Sequence, residues 1–188
     1  MTLGEAGDTL QALDMTEERS RQFADYWLSL PKTGLIPMRR TFMPENVPRI
    51  LPNIVIHELI SPELIRIRLA GSAVVEDYGQ EIAGRNYLDF VEPPRRSKAS
   101  RAIHVICEQP AGMLVQLKSV TRSGRVMTRE SIAFPMRGDD GVASYIYFCS
   151  SPARERARVA PESDQLQVMN VLNRTYIDIG AGLPDYRD

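Results

Sequence analysis

Between residues 64 and 70 apolar and polar side chains alternate, with Ile65, Ile67 and Leu69 on one side and Arg66 and Arg68 on the other. That period of two predicts a strand with one buried face. Just before it, Ile54-Val55-Ile56-His57-Glu58-Leu59-Ile60 is a largely apolar run, and Ser61-Pro62-Glu63 supplies a turn, so the two runs form an antiparallel hairpin. Gly71-Ser72 then opens a stretch punctuated by Gly79 and Gly84 and closed by Pro93-Pro94, which predicts short helical pieces folded over a sheet. From Glu92 to Gln109 the period lengthens. Ala99, Ala102, Ile103, Ile106 and Cys107 share one helical face, with the proline pair at its start and Pro110 past its end. Three strand-like runs follow: Met113 to Thr121, Arg125 to Met136 and Val142 to Cys149. Ser123-Gly124 and Arg137-Gly138-Asp139-Asp140-Gly141 are the turns between them.

Both ends of the chain carry a helical pattern. Residues 1–13 form a loose leader, and Asp14 or Thr16 caps a helix in which Phe23, Tyr26, Trp27 and Leu30 share one face before Pro31 and Gly34 stop it. Two readings of that face stand: it packs on the sheet, or it pairs with a second subunit. Leu35 to Leu51 is irregular, because Pro37, Pro44 and Pro48 limit any helix to about one turn. After Pro152 a charged segment and Pro161 lead into a second helical pattern through Leu166, Met169, Val171-Leu172 and Tyr176, followed by a frayed tail from Gly180 to Asp188. Connections this short cannot make parallel crossovers. The expected class is therefore α+β: a five-stranded antiparallel sheet with short helices and one long helix on one face, flanked by N- and C-terminal helices. The expected divisions are 1–32, 33–150 and 151–188.

Composition narrows the function classes. A chain of 188 residues supports one sizeable core. A net charge of −1 gives no electrostatic footprint for nucleic acid or an anionic membrane. The basic runs around 95–101 and 154–158 read as solvated helix faces. The polar, acidic start does not resemble a signal peptide, no apolar run is long enough to cross a bilayer, and Cys107 and Cys149 lack metal-ligand spacing. A cytoplasmic location with free thiols is expected.

The order of elements, two strands, short helices, a long helix and three strands, is similar to that of the PAS domain family. The passage Gly79-Gln80-Glu81-Ile82-Ala83-Gly84-Arg85-Asn86-Tyr87-Leu88-Asp89-Phe90-Val91-Glu92-Pro93 resembles the family's segment leading into its long helix. Gly34-Leu35-Ile36-Pro37-Met38-Arg39-Arg40-Thr41-Phe42, Leu51-Pro52-Asn53 and Arg68-Leu69-Ala70-Gly71-Ser72 resemble a subgroup of stand-alone bacterial PAS-like proteins. The resemblance covers about residues 33 to 150. It implies a sensory or adaptor module in signal transduction that acts on a protein partner, with or without a small-molecule ligand; homodimerisation is the expectation that the aromatic face of the N-terminal helix adds. Alternatives are a structural dimerisation module without ligand, and a small-molecule carrier or enzyme. Glycine-linked helices over a concave sheet suit the first reading, because they enclose a cavity yet bury little area each and shift when it fills.

Candidate chemistry is sparse. The inward-facing ligand candidates are Tyr78, Tyr87, Ile103, Met113 and Val115, with Arg85 or Arg129 as charge partners; Phe23, Tyr26, Trp27 and Leu30 are the interface candidates. His104 lies on the long helix, where haem-binding relatives place an axial histidine. At about 100° per residue, however, it falls well away from the apolar face and points to solvent. His57 is expected to be a hydrogen-bonded structural histidine. Tyr87-Leu88-Asp89-Phe90 lacks the cysteine that light-sensing relatives carry there, which excludes a photochemical adduct. Without a P-loop, GxSxG, HExxH or cysteine-histidine pattern, the expectation is no catalysis, no metal and no cofactor.

Overall fold

The computed structural model describes residues 15–152, 154–155 and 164–186. The expected leader, most of the basic run 154–158 and Pro161 lie outside these residues. The described chain opens with helix α1 (Glu18–Ser29) and a small hairpin of β1 (Lys32–Thr33) and β2 (Ile36–Pro37). Single 3-10 turns follow at Arg39–Thr41, Pro44–Asn46 and Leu51–Asn53, as the proline spacing predicts. The core then runs β3 (Ile54–Ser61), β4 (Leu64–Ala70), α2 (Ser72–Tyr78), 3-10 turns at Tyr87–Phe90 and Pro93–Arg95, α3 (Arg96–Glu108), β5 (Ala111–Thr121), β6 (Val126–Arg137), β7 (Ala143–Ser150), β8 (Arg154–Glu155) and β9 (Leu166–Asp178).

One antiparallel sheet organises the molecule, with strand order β4-β3-β7-β6-β5-β9 and β8 paired to β6. The α+β class, the antiparallel sheet and the helix order are as expected. Four strands were not expected: β1 and β2 of the small hairpin, and β8 and β9 of this sheet. Residues 166–178 form a strand, not the expected C-terminal helix, and pair with β5 from Ala111↔Asp178 to Thr121↔Leu166. The apolar spacing there was compatible with a helix. The β-branched Val168, Val171, Thr175 and Ile177 favour a strand, and the long open edge of β5 supplies a full ladder of backbone hydrogen bonds. Arg154–Glu155 is likewise strand, not a helix face. The tail is docked: Tyr186 donates to the Lys98 carbonyl (3.0 Å) and Gln109 donates to that of Leu183 (3.0 Å).

The central strands β5, β6 and β7 bury both faces, so their alternate residues belong to two different cores. Beneath the sheet, α1 lays Phe23, Ala24, Trp27 and Leu30 against Leu114, Ile132, Phe134, Met136 and Cys149. The Trp27 ring stacks on Phe134, with centroids 4.5 Å apart, and its Nε1–H donates to the Pro135 carbonyl (3.2 Å). Thr16 does not cap α1 with its own side chain; Glu130 on β6 accepts from Thr16 N (2.9 Å), Thr16 Oγ1 (2.8 Å) and Glu17 N (3.3 Å). A buried strand carboxylate thus satisfies donors at the helix start.

Above the sheet, α2, the 3-10 turns and α3 form a lid over Val55, Ile65, Ile67, Met113, Val115, Ala133, Ile146 and Phe148. The lid is tied along β4, where Gly84 N donates to the Ile67 carbonyl (2.7 Å), Ile67 N to that of Arg85 (2.9 Å) and Ile65 N to Asn86 Oδ1 (3.1 Å). Two glycines are required. A Cβ at Gly71 would sit 2.4 Å from the Leu51 and Pro52 carbonyl oxygens, and Gly79 ends α2 with φ +63°, pressed against the Asp164 carbonyl.

Candidate functional site

Between the sheet and the lid lies a chamber of about 40 Å³. Its floor is built by alternation: β3 contributes Val55 and His57, β5 contributes Met113, Val115 and Leu117, β6 contributes Arg129 and Ser131, and β7 contributes Phe148 and Ser150. The lid supplies Val74 and Tyr78 from α2, Tyr87 from the following 3-10 turn and Ile103 from α3. Strand β9 closes the side with Met169, Val171 and Arg174.

The chamber's polar groups are few and deeply placed. Arg129 is 3% exposed, and its Nη1 meets Asp77 Oδ2 on α2 at 2.9 Å. Its Nε and Nη2 are buried and, among the described residues, have no hydrogen-bond partner. The hydroxyls of Ser131 and Ser150 bond each other at 2.9 Å. Tyr78 directs its hydroxyl to Met169 Sδ at 3.8 Å, and burial raises its pKa as it does that of Tyr87. His57 lies between Tyr87 and Phe148, with ring centroids 4.9 and 4.8 Å away. Burial pushes its pKa down to about 3, so the ring is neutral.

Of the residues singled out from sequence, Tyr78, Tyr87, Ile103, Met113, Val115 and Arg129 come together around this chamber. Arg85 does not. It is exposed, donates to Gln80 Oε1 (2.7 Å) and covers the Phe90 ring at 4.7 Å, because the turn at Gly84 carries its side chain over the outside of the lid. His57 departs from expectation as well: it lines the chamber, and its Nδ1 has no hydrogen-bond partner. Phe23, Trp27 and Leu30 are buried in their own chain's core, so the aromatic face takes the first of its two readings. Using that face between subunits would require uncovering Phe134. Only Tyr26 stays half-exposed, donating to the Met43 carbonyl and accepting from Met43 N.

His104 faces away from the chamber. Its Nδ1 lies 2.9 Å from the Ser100 carbonyl, and it borders an outer groove of about 590 Å³ with Glu63, Asp89 and Arg96. Both thiols are free, and burial pushes each up to about 12, which leaves them poor nucleophiles. Sequence reasoning missed Asp77, Ser131, Ser150 and the β9 residues. Asp77 carried no local signal, since its role depends on a β6 arginine far along the chain.

A family profile for the PAS domain matches residues 15–148. The chain belongs to the PAS domain family. The match begins before α1, so it takes in the N-terminal helix together with the lid and the sheet through β7. Solved structures similar to this PAS chain include the dark structure of the blue-light photoreceptor Aureochrome1 LOV (18% identity, 66% of this chain and 86% of that one, TM-score 0.44). A LOV protein of Rhodobacter sphaeroides is also similar (15%, 58% and 62%, 0.42), as is an RNA-binding light-oxygen-voltage receptor (18%, 78% and 48%, 0.43). A comparison with curated proteins finds no match.

A flavin does not fit this PAS chamber. At roughly 10–15 Å³ per water, 40 Å³ accommodates about three waters, whereas pockets for ligands of cofactor size start near 300 Å³. No cysteine lines the chamber. Among the described residues no group of His, Cys, Asp and Glu is arranged to hold a metal ion, and no helix is long and apolar enough to cross a membrane.

Proposed function

We propose that this PAS chain is a non-catalytic sensory module whose chamber takes up a small molecule and whose lid transmits the occupancy to a protein partner. The observation that carries this reading is the Asp77–Arg129 ion pair. It joins lid helix α2 to a sheet residue that lines the chamber. A molecule that engages Arg129 competes for, or reinforces, the contact that holds α2 in place, so it biases the lid between arrangements by its differential affinity for them. The lid is the element suited to respond, because α2 spans only Ser72–Tyr78 and its neighbours are single 3-10 turns. Without a catalytic constellation in the chamber, the output is a noncovalent contact. The resemblance of residues 34–53 and 68–72 to stand-alone bacterial PAS-like proteins supports the same mode of action in the cytoplasm.

Native mass spectrometry of gently purified protein, with hydrogen exchange across residues 72–91, tests this. The expected result is a noncovalent small-molecule adduct, with lid amides that exchange more slowly in the adduct than in stripped protein. A protein that carries no adduct, and whose lid exchange ignores a small-molecule extract of its host, overturns the reading.

A further inference from the structure

The chamber's chemistry goes further than its shape. An arginine presents its donors along planar edges, and the edge formed by Nε–H and Nη2–H matches the two oxygens of a carboxylate. Arg129 gives Nη1 to Asp77 and leaves Nε and Nη2 without partners, although its side chain is only 2% exposed. Leaving two donors of a buried cation unmet costs on the order of several kcal/mol, so an acceptor is required there.

Among the described residues none supplies it. The Ser131 and Ser150 hydroxyls pair with each other, Tyr78 turns to Met169, and the chamber wall holds Arg129 and Arg174 but no acidic residue. The rest of the wall is apolar, with Val55, Val74, Met113, Val115 and Leu117 among its members. A tetrahedral oxyanion would turn its remaining oxygens toward these side chains, and a neutral amide would offer one acceptor to two donors. A molecule with one two-oxygen edge and a short alkyl remainder satisfies both parts of the wall. The volume sets its length, since about 40 Å³ admits only a few non-hydrogen atoms.

We propose that the chamber is a site for a short monocarboxylate of the size of acetate or propionate, its carboxylate held edge-on by Nε and Nη2 of Arg129. This names the ligand class of the sensory site proposed above and rests on that reading. Occupancy joins three partners in series: the ligand carboxylate, the Arg129 guanidinium and Asp77 on α2. The lid helix is thus read directly by the group that binds the ligand.

Methionine-methyl NMR on the full chain provides the test, because Met113 and Met169 both line the chamber. Sodium acetate and sodium propionate are titrated against acetamide, propionamide, inorganic phosphate and sodium chloride at matched ionic strength. The expected result is a saturable shift of the Met113 and Met169 methyl signals with the carboxylates, at least tenfold weaker for the amides. Arg129→Gln should abolish the response and Arg129→Lys should weaken it at least tenfold, since an ammonium offers no fork. Should Arg129→Gln fail to fold, the carboxylate-to-amide ratio on the native chain decides alone. Equal responses to amides, or a response to phosphate alone, overturn the carboxylate assignment and leave the sensory module standing. No response to any probe also overturns it, and the adduct measurement above then judges the sensory reading on its own.

Discussion

The two faces of the sheet are built from alternate residues of the same strands, yet they solve opposite problems. On the α1 face, Trp27 stacks on Phe134, Phe23 fills beside them, and the one buried carboxylate, Glu130, is met by Thr16, Glu17 and Gln116. On the lid face the packing leaves a chamber, and Arg129 and His57 keep polar atoms without partners. A face that only stabilises has every strong polar group answered. The guanidinium edge of Arg129 is what the proposed ligand would answer.

Trp27→Ala empties a fully buried site, and a loss of about 3–5 kcal/mol in denaturant unfolding is expected. A loss below about 1 kcal/mol would mean that the α1 face is as loosely filled as the chamber.

His57 sharpens the contrast through pH. Its folded pKa of about 3 lies below its unfolded value of about 6.5, so the unfolded chain binds a proton that the folded chain excludes. Stability is flat above pH 6.5 and falls by up to about 1.4 kcal/mol per pH unit below it, giving about 2 kcal/mol by pH 5. In His57→Gln that share of the slope should vanish when unfolding is followed at a series of pH values.

Glu130 behaves in the reverse manner. Burial pushes its pKa up, but the hydrogen bonds at the helix start outweigh this and hold it below its ordinary 4.5. Its contribution is therefore present above the unfolded value and is lost as pH falls through the folded one. Glu130→Ala should cost about 1–2 kcal/mol at pH 7, with exchange of α1 amides rising most, because the start of the helix loses its acceptor. The smallest effect belongs to Arg85→Ala, outside the chamber. Stability should change by less than about 0.5 kcal/mol, and the methyl response to carboxylates should persist.

Strands β3 to β7 were legible because each alternates or lies between glycine and proline turns, and local pattern and tertiary pairing agree. Strand β9 was not, because Leu166, Met169, Val171 and Tyr176 suit either period, and only the open edge of β5 decides between them. Of the chamber's apolar wall, Met113 and Val115 on β5, Ile103 on α3 and the lid tyrosines Tyr78 and Tyr87 were legible, whereas Val55, Leu117, Phe148 and the β9 residues were not. Arg129 was among the candidates, but its burial and its pairing with Asp77 were not legible. Arg129 alone reads as a strand arginine, and its burial depends on Asp77 arriving from α2. Arg85 had the better-looking motif, yet the turn at Gly84 placed it outside.

Arg129 and Glu130 are successive residues of β6, so the strand's pleat sends one into the chamber and the other to the start of α1. Their backbones are joined by one peptide bond. The sheet is then less a wall between two compartments than a beam loaded from both sides. Were a ligand to fill the chamber and a partner to bind α1, any factor by which the first changes the partner's affinity would be returned to the ligand in full. A protein that seizes the N-terminal helix would retune the sensor as much as it listens to it.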